Sequence, residues 1–220
     1  YEKAMPKTMS WSEKLLCAKD CNYDFLEISI DETEDKLSRL NWTKEQRREI
    51  LDLMRNLDLP IRSMCLSAHR KYPFGASDKA VRDRGMEIME KAISFADDLG
   101  IRIIQLAGYD VYYEEGNEKS RERFIENLEK ATKMAATRGI LMGFETMETE
   151  FMNTTEKAMQ YVNLIGSPYL GVYPDSGNLT NASLLYNKSV AEDLETGRGH
   201  IVAMHLKETL PGVFREVPFL

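Results

Sequence analysis

Short apolar runs rich in β-branched residues alternate along the chain with longer stretches whose apolar positions recur every three or four residues. The runs are Phe25–Ile30, Ile61–Ser67, Ile101–Ala107, Ile140–Glu145, Tyr169–Tyr173 and Ile201–His205. Each is short enough for a strand. The stretches between them carry helix punctuation. Thr43 precedes a run from Lys44 to Leu57, and Pro60 closes the connection. Ser77 and Asp78 cap a stretch that stops at Gly100, where a left-handed C-cap is expected. Gly139 ends a helix over 119–137, and Gly199 follows a helix expected over 182–196.

Strand starts recur about every 30 to 40 residues, the length of one βα repeat. No Pro/Ser-rich linker or shift in composition interrupts the series, so residues 1–220 read as a single α/β domain. Two arrangements of such repeats remain open, a doubly wound sheet and a TIM-type (β/α)8 barrel. No glycine-rich phosphate loop follows Phe25–Ile30, which weakens the first. Polar residues gather at the C-terminal ends of several strands, where barrel active sites form, which favours the second. A barrel needs eight strands and six are visible. Tyr1–Ala4 is therefore expected to be the trailing edge of a first strand, and an eighth strand with its helix is expected beyond Leu220, leaving the domain incomplete at both ends.

Hydrophobic residues make up 43% and charged residues 30%, ordinary for a globular protein, with a formal net charge of −7. That charge argues against a general nucleic-acid surface, which needs a basic face to displace counterions. It leaves room for one phosphate held by a few local cations. No apolar run suggests a membrane span and the first residues do not read as a signal peptide, so a cytoplasmic protein is expected. Cys17, Cys21 and Cys65 are an odd number and read as reduced thiols. The twelve methionines are scattered, as core packing would scatter them.

Chemistry concentrates at three strand ends. Glu145 closes Gly143-Phe-Glu, Asp175 follows Tyr173-Pro, and His205 and Lys207 share parity in Met204-His-Leu-Lys. Adjacent barrel strands lie about 4.8 Å apart, so two carboxylates and an imidazole on successive strands can converge on one divalent ion, Zn²⁺, Mn²⁺, Mg²⁺ or Co²⁺. Each residue alone has a plainer explanation: a carboxylate capping the next helix, an aspartate organising a turn, a histidine satisfied in the core. Their coincidence favours a metal site. After Cys65-Leu lies a second cluster, Ser67, His69, Arg70 and Lys71, able to hold an anion and a substrate hydroxyl, or simply a solvated basic loop. Tyr109, Tyr112 and Tyr113 form a third, readable as a wall for a sugar or as packing on a helix. Glu27, Asp31 and Glu32 sit at the same end and read as supporting or capping groups.

Cys65-Leu-Ser-Ala-His-Arg70, Ile104-Gln-Leu-Ala-Gly-Tyr-Asp-Val-Tyr-Tyr113, His200-Ile-Val-Ala-Met-His-Leu-Lys-Glu-Thr209 and Asp31-Glu-Thr-Glu-Asp-Lys-Leu-Ser-Arg-Leu40 closely resemble the L-ribulose-5-phosphate 3-epimerases of L-ascorbate utilisation. The ending Pro211-Gly-Val-Phe214 does too, so the resemblance spans nearly the whole chain. It extends to the wider xylose-isomerase-like barrels. It implies a metal-dependent isomerase acting on a ketopentose phosphate by proton transfer at C3, in a homodimer. Glu145, Asp175 and His205 would be metal ligands, and Glu145 also one of two carboxylates that move protons on opposite faces. The second carboxylate, on the eighth strand of that family, is expected beyond residue 220. Related free-ketose epimerases carry a histidine where Asn178 stands here and an arginine where Pro211 stands. Asn178, Lys207 and Arg215 are therefore expected to share substrate binding with Ser67, His69, Arg70 and Tyr109. A hexulose-phosphate isomerase, a free-ketose 3-epimerase and a non-catalytic sugar-phosphate-binding barrel are the alternatives.

Overall fold

Five strands, β1 (Leu26–Ile30), β2 (Ile61–Leu66), β3 (Ile103–Ala107), β4 (Leu141–Glu145) and β5 (Leu170–Tyr173), pair in parallel and in chain order. These come from a computed structural model, which describes residues 1–214 and Val217. A doubly wound sheet reverses its order at a switch point, and this one does not. Helices fill the connections: α1 (Trp11–Asp20), α2 (Glu34–Ser38), α3 (Lys44–Leu57), α4 (Lys79–Leu99), α5 (Glu118–Thr137), α6 (Thr155–Ile165), α7 (Ser176–Tyr186) and α8 (Val190–Thr196). The expected caps are in place. Thr43 and Gln46 form a capping box on α3, Asp78 accepts from Ala80 N at the start of α4, and Gly100 takes φ 72° at its end.

Strand parity separates two environments. Leu26, Ile28, Ile30, Met64, Leu66, Ile104, Leu106, Met142, Phe144, Leu170 and Val172 all belong to one apolar core with the inner faces of α3 to α6. The opposite parity carries Glu27, Ser29, Ser63, Cys65, Gln105, Glu145 and Tyr173. Both faces are buried, yet only one is greasy. In a flat sheet β1 and β5 would stand about 19 Å apart, four strand spacings. Instead the Tyr173 hydroxyl donates to Glu27 Oε2 at 2.9 Å. The sheet therefore curls, and the polar parity faces an enclosed interior, as in a barrel.

Three expectations need correction. Ile201–His205 runs beside β5 but is not a continuous strand, touching it through two isolated parallel bridges, Val172 to Ile201 and Asp175 to His205. Val172 N and Ser176 N donate to the carbonyls of His200 and His205, so the residue between them in the ladder is Pro174, which has no N–H. Four residues on one side also face five on the other, a bulge that breaks the register. Tyr1–Ala4 is a turn, with a 3-10 helix over Glu2–Ala4, and not a strand edge. Its Glu2 is tied down by side chains instead of a ladder. The buried carboxylate accepts from Lys36 Nζ and Arg39 Nη1 at 2.6 Å and from Ser29 N at 3.0 Å. Burial pushes its pKa up, and the two cations more than reverse this. Lastly, the helix expected over 182–196 is two helices, because Asn187 adopts φ 50° and Ser189 caps a new start.

Candidate metal centre

Glu145 ends β4 and Asp175 follows β5 as the N-cap of α7, its Oδ1 accepting from Asn178 N at 2.8 Å. His205 is delivered by the bulged segment beyond them. One ligand atom from each of the three lies within 4.8 Å of the others. The plainer explanation of Asp175 and the functional one thus hold together: Oδ1 caps the helix, and Oδ2 carries none of these bonds. Thr146 fixes the loop, its hydroxyl accepting from Asp175 N at 3.0 Å and its carbonyl from Asn178 Nδ2 at 2.7 Å.

The imidazole of His205 is held at both nitrogens. Nδ1 lies 2.9 Å from Glu145 Oε1, and Nε2 lies 2.8 Å from Glu27 Oε1. Burial alone would lower its pKa. Hydrogen bonds and charge from Glu145 and Glu27 outweigh burial and push it up to about 10. Glu145 Oε2 accepts from Gln105 Nε2 at 2.5 Å, while Gln105 Oε1 is buried without a partner. Lys207 Nζ sits 3.1 Å from Asp175 Oδ1 and donates to Asn178 Oδ1 at 2.7 Å. His205 is flanked by two rings, Tyr173 at 4.7 Å and Tyr1 at 5.8 Å between centroids.

An oxygen, oxygen and nitrogen donor set on an otherwise polar interior suits a hard or borderline divalent cation. Among the described residues, His205 and Lys207 lie against these carboxylates where an ion would. The residues present fit a metal.

The second cluster divides. Ser67 opens a 3-10 turn over Ser67–Arg70 and is half-buried. His69, expected to reach substrate, is instead 5% exposed, bonded to Gly85 O of α4 at 3.1 Å and packed 4.4 Å from the Phe74 ring. Its pKa is pulled down to about 4 by burial, which the single carbonyl contact only partly offsets. This is a core histidine. Arg70 is half-buried, stacked over Tyr112 at 4.9 Å and near Tyr109 at 5.8 Å, with a buried Nε that has no partner. Tyr109 is almost fully buried and donates to Glu148 Oε2 at 2.5 Å, whereas Tyr113 is 67% exposed and reaches Glu32 at 2.9 Å. Arg215 lies outside the described residues.

Glu27, Tyr1, Tyr173, Thr146 and Gln105 also surround the trio, and of these only Glu27 drew a role in the sequence reading. Inward strand parity was the available signal for Tyr173, at the end of β5, and for Gln105, in the middle of β3; Tyr1 gave none.

A family model described as a xylose isomerase-like TIM barrel matches residues 16–220. The chain is 47% identical over 219 residues to L-ribulose-5-phosphate 3-epimerase UlaE of Escherichia coli, covering all of this chain and 76% of that protein. The relative from Escherichia fergusonii matches equally. Among solved structures, a D-psicose 3-epimerase crystallised in the presence of D-fructose superposes with a TM-score of 0.77 at 15% identity, covering 91% of this chain and 68% of that one. An L-ribulose 3-epimerase gives 0.69 at 20% identity, over 90% and 64%. At such identities these structures speak for the fold alone.

Proposed function

The chain belongs to the xylose isomerase-like TIM barrel family, and on that premise we propose that it is an isomerase interconverting L-ribulose 5-phosphate and L-xylulose 5-phosphate by epimerisation at C3. The observation that carries this reading is the convergence of Glu145, Asp175 and His205 inside a chain 47% identical to a protein of that name. Those three residues would hold a divalent cation, Mn²⁺, Zn²⁺, Co²⁺ or Mg²⁺. When bound, the ion supplies positive charge that acidifies the C3 proton of the 2-ketose and stabilises the developing cis-enediolate.

Glu145 Oε2 takes the C3 proton on one face, and inversion requires a second acid to return a proton to the opposite face. Gln105 donates to Glu145 and so orients the carboxylate toward the interior. Lys207 and Asn178 form one polar edge of the site and suit the oxygens at C1 and C2. Tyr1 and Tyr173 wall the space around His205 and limit water. Arg70, with its unpartnered Nε beside Tyr112, supplies a cation for the phosphate, and Ser67 a nearby hydroxyl.

The test is turnover by the purified full-length protein supplied with Mn²⁺ and L-ribulose 5-phosphate in deuterated water. The expected result is deuterium at C3 together with L-xylulose 5-phosphate. No exchange at C3 overturns the reaction. Equal turnover of unphosphorylated L-ribulose overturns the substrate.

A further inference from the structure

Glu27 is a carboxylate at the second residue of β1, with only 5% of its side chain exposed. It lies outside the Glu145–Asp175–His205 group, so it is not explained as a ligand. A buried carboxylate costs free energy unless its oxygens are bonded, and here all the bonds converge on it. Oε2 accepts from Ser63 Oγ at 2.7 Å, directly across the β1–β2 pairing, and from the Tyr173 hydroxyl at 2.9 Å. With Oε2 held by two donors on neighbouring elements, Oε1 points at His205 Nε2, 2.8 Å away. Strands β1, β2 and β5 thus contribute to one device aimed at a single ring nitrogen.

We propose that Glu27 is a positioning residue for metal binding: by accepting from His205 Nε2 it leaves Nδ1, the nitrogen facing Glu145, to ligate the ion. The inference rests on the metal reading given above. A neutral imidazole has one N–H and one lone pair, and the hydrogen bond at one nitrogen selects the role of the other. With a carboxylate at Nε2 the proton stays there and the ring cannot rotate without losing the bond. An apolar or amide neighbour would not impose this. Glutamine in particular cannot accept from His205 and from Ser63 and Tyr173 at once with a single oxygen. Turning its amide toward Nε2 would place the proton on Nδ1, against the ion.

The test is Mn²⁺ binding by the whole chain, read from the electron paramagnetic resonance of free Mn²⁺, with ¹⁵N shifts of the His205 ring in the Zn²⁺-loaded protein as a second readout. Glu27→Gln is expected to weaken Mn²⁺ binding about 10- to 100-fold, the usual effect of losing a partner of a ligating histidine. Wild type should show a protonated Nε2, and the variant a loss of that preference. Ser63→Ala removes one of two donors to Glu27 Oε2 and leaves the Tyr173 hydroxyl in place, so it should weaken binding about threefold. Binding by folded Glu27→Gln within twofold of wild type, with an unchanged ring proton, overturns the proposal. Should Glu27→Gln fail to fold, Ser63→Ala decides by the same two readouts. Wild type that binds neither Mn²⁺ nor Zn²⁺ would instead overturn the metal reading itself, a result separate from failure at Glu27.

Discussion

His205 and His69 are the same side chain in opposite settings. His205 stands between two carboxylates and is pushed up to about 10, while His69 lies beneath α4 against Phe74 with one carbonyl for company and is pulled down to about 4. Both are largely buried, so burial does not distinguish them. The difference is what each nitrogen meets. Carboxylates on facing strands make a site that holds positive charge, and an aromatic pocket makes one that excludes it. The first is a place for a cation; the second is packing.

The contrast can be broken most sharply at Glu145. Glu145→Gln keeps the shape of the interior and removes the base, so C3 exchange should fall about 10²- to 10⁴-fold, measured by deuterium incorporation. A variant retaining most of the exchange would place the base elsewhere. Next comes the competition between proton and ion at His205. Because its proton is held up to about pH 10, a metal must displace it, and Mn²⁺ affinity should fall about tenfold per pH unit from 8 to 6. Calorimetric titrations in buffers of different protonation enthalpy should find about one proton released per ion. A pH-independent affinity with no release would remove His205 from the ligand set.

His69 supplies the opposite sign. Its folded pKa lies below the unfolded value of about 6.5, so the stability it contributes is complete above that value and is lost as pH falls toward 4. Across that window wild type should lose up to about 1.4 kcal/mol per pH unit more than His69→Gln, read from urea unfolding at pH 4 to 7. Parallel curves would mean that His69 is not held neutral. The smallest effect is expected at the mouth, where Arg70→Met should raise KM for the phosphorylated ketose about tenfold and leave KM for the free ketose unchanged. Equal effects on both would detach Arg70 from the phosphate.

Much of the scaffold was readable in the chain. The β-branched runs, the Thr43 and Asp78 caps and the C-terminal glycine at 100 are local signals; local hydrogen bonding realises the caps, and the runs become strands by pairing with neighbours distant in the chain. The strand at 201–205 was misread because its apolar pattern is strand-like while its partner presents Pro174, a property of the neighbour and not of the segment. The joined helix over 182–196 was misread because Asn187 takes a left-handed conformation that asparagine tolerates without announcing. Glu145, Asp175 and His205 were legible through strand-end position and repeat spacing. His69 looked equally chemical. Nothing local to Ala68-His-Arg70 reveals that α4 offers it a carbonyl at Gly85.

Residue types and their spacing settle the repeat, the parallel βα order and the three candidate ligands, because these depend on periodicity and on which strand end a residue occupies. Which histidine meets carboxylates and which meets a phenyl ring exists only in the folded chain. So does the bond from Tyr173 to Glu27 across 146 residues, which depends on the curl of the sheet. Electrostatics decides function here over a few ångströms, and only tertiary packing brings β1, β4 and the segment after β5 within that range.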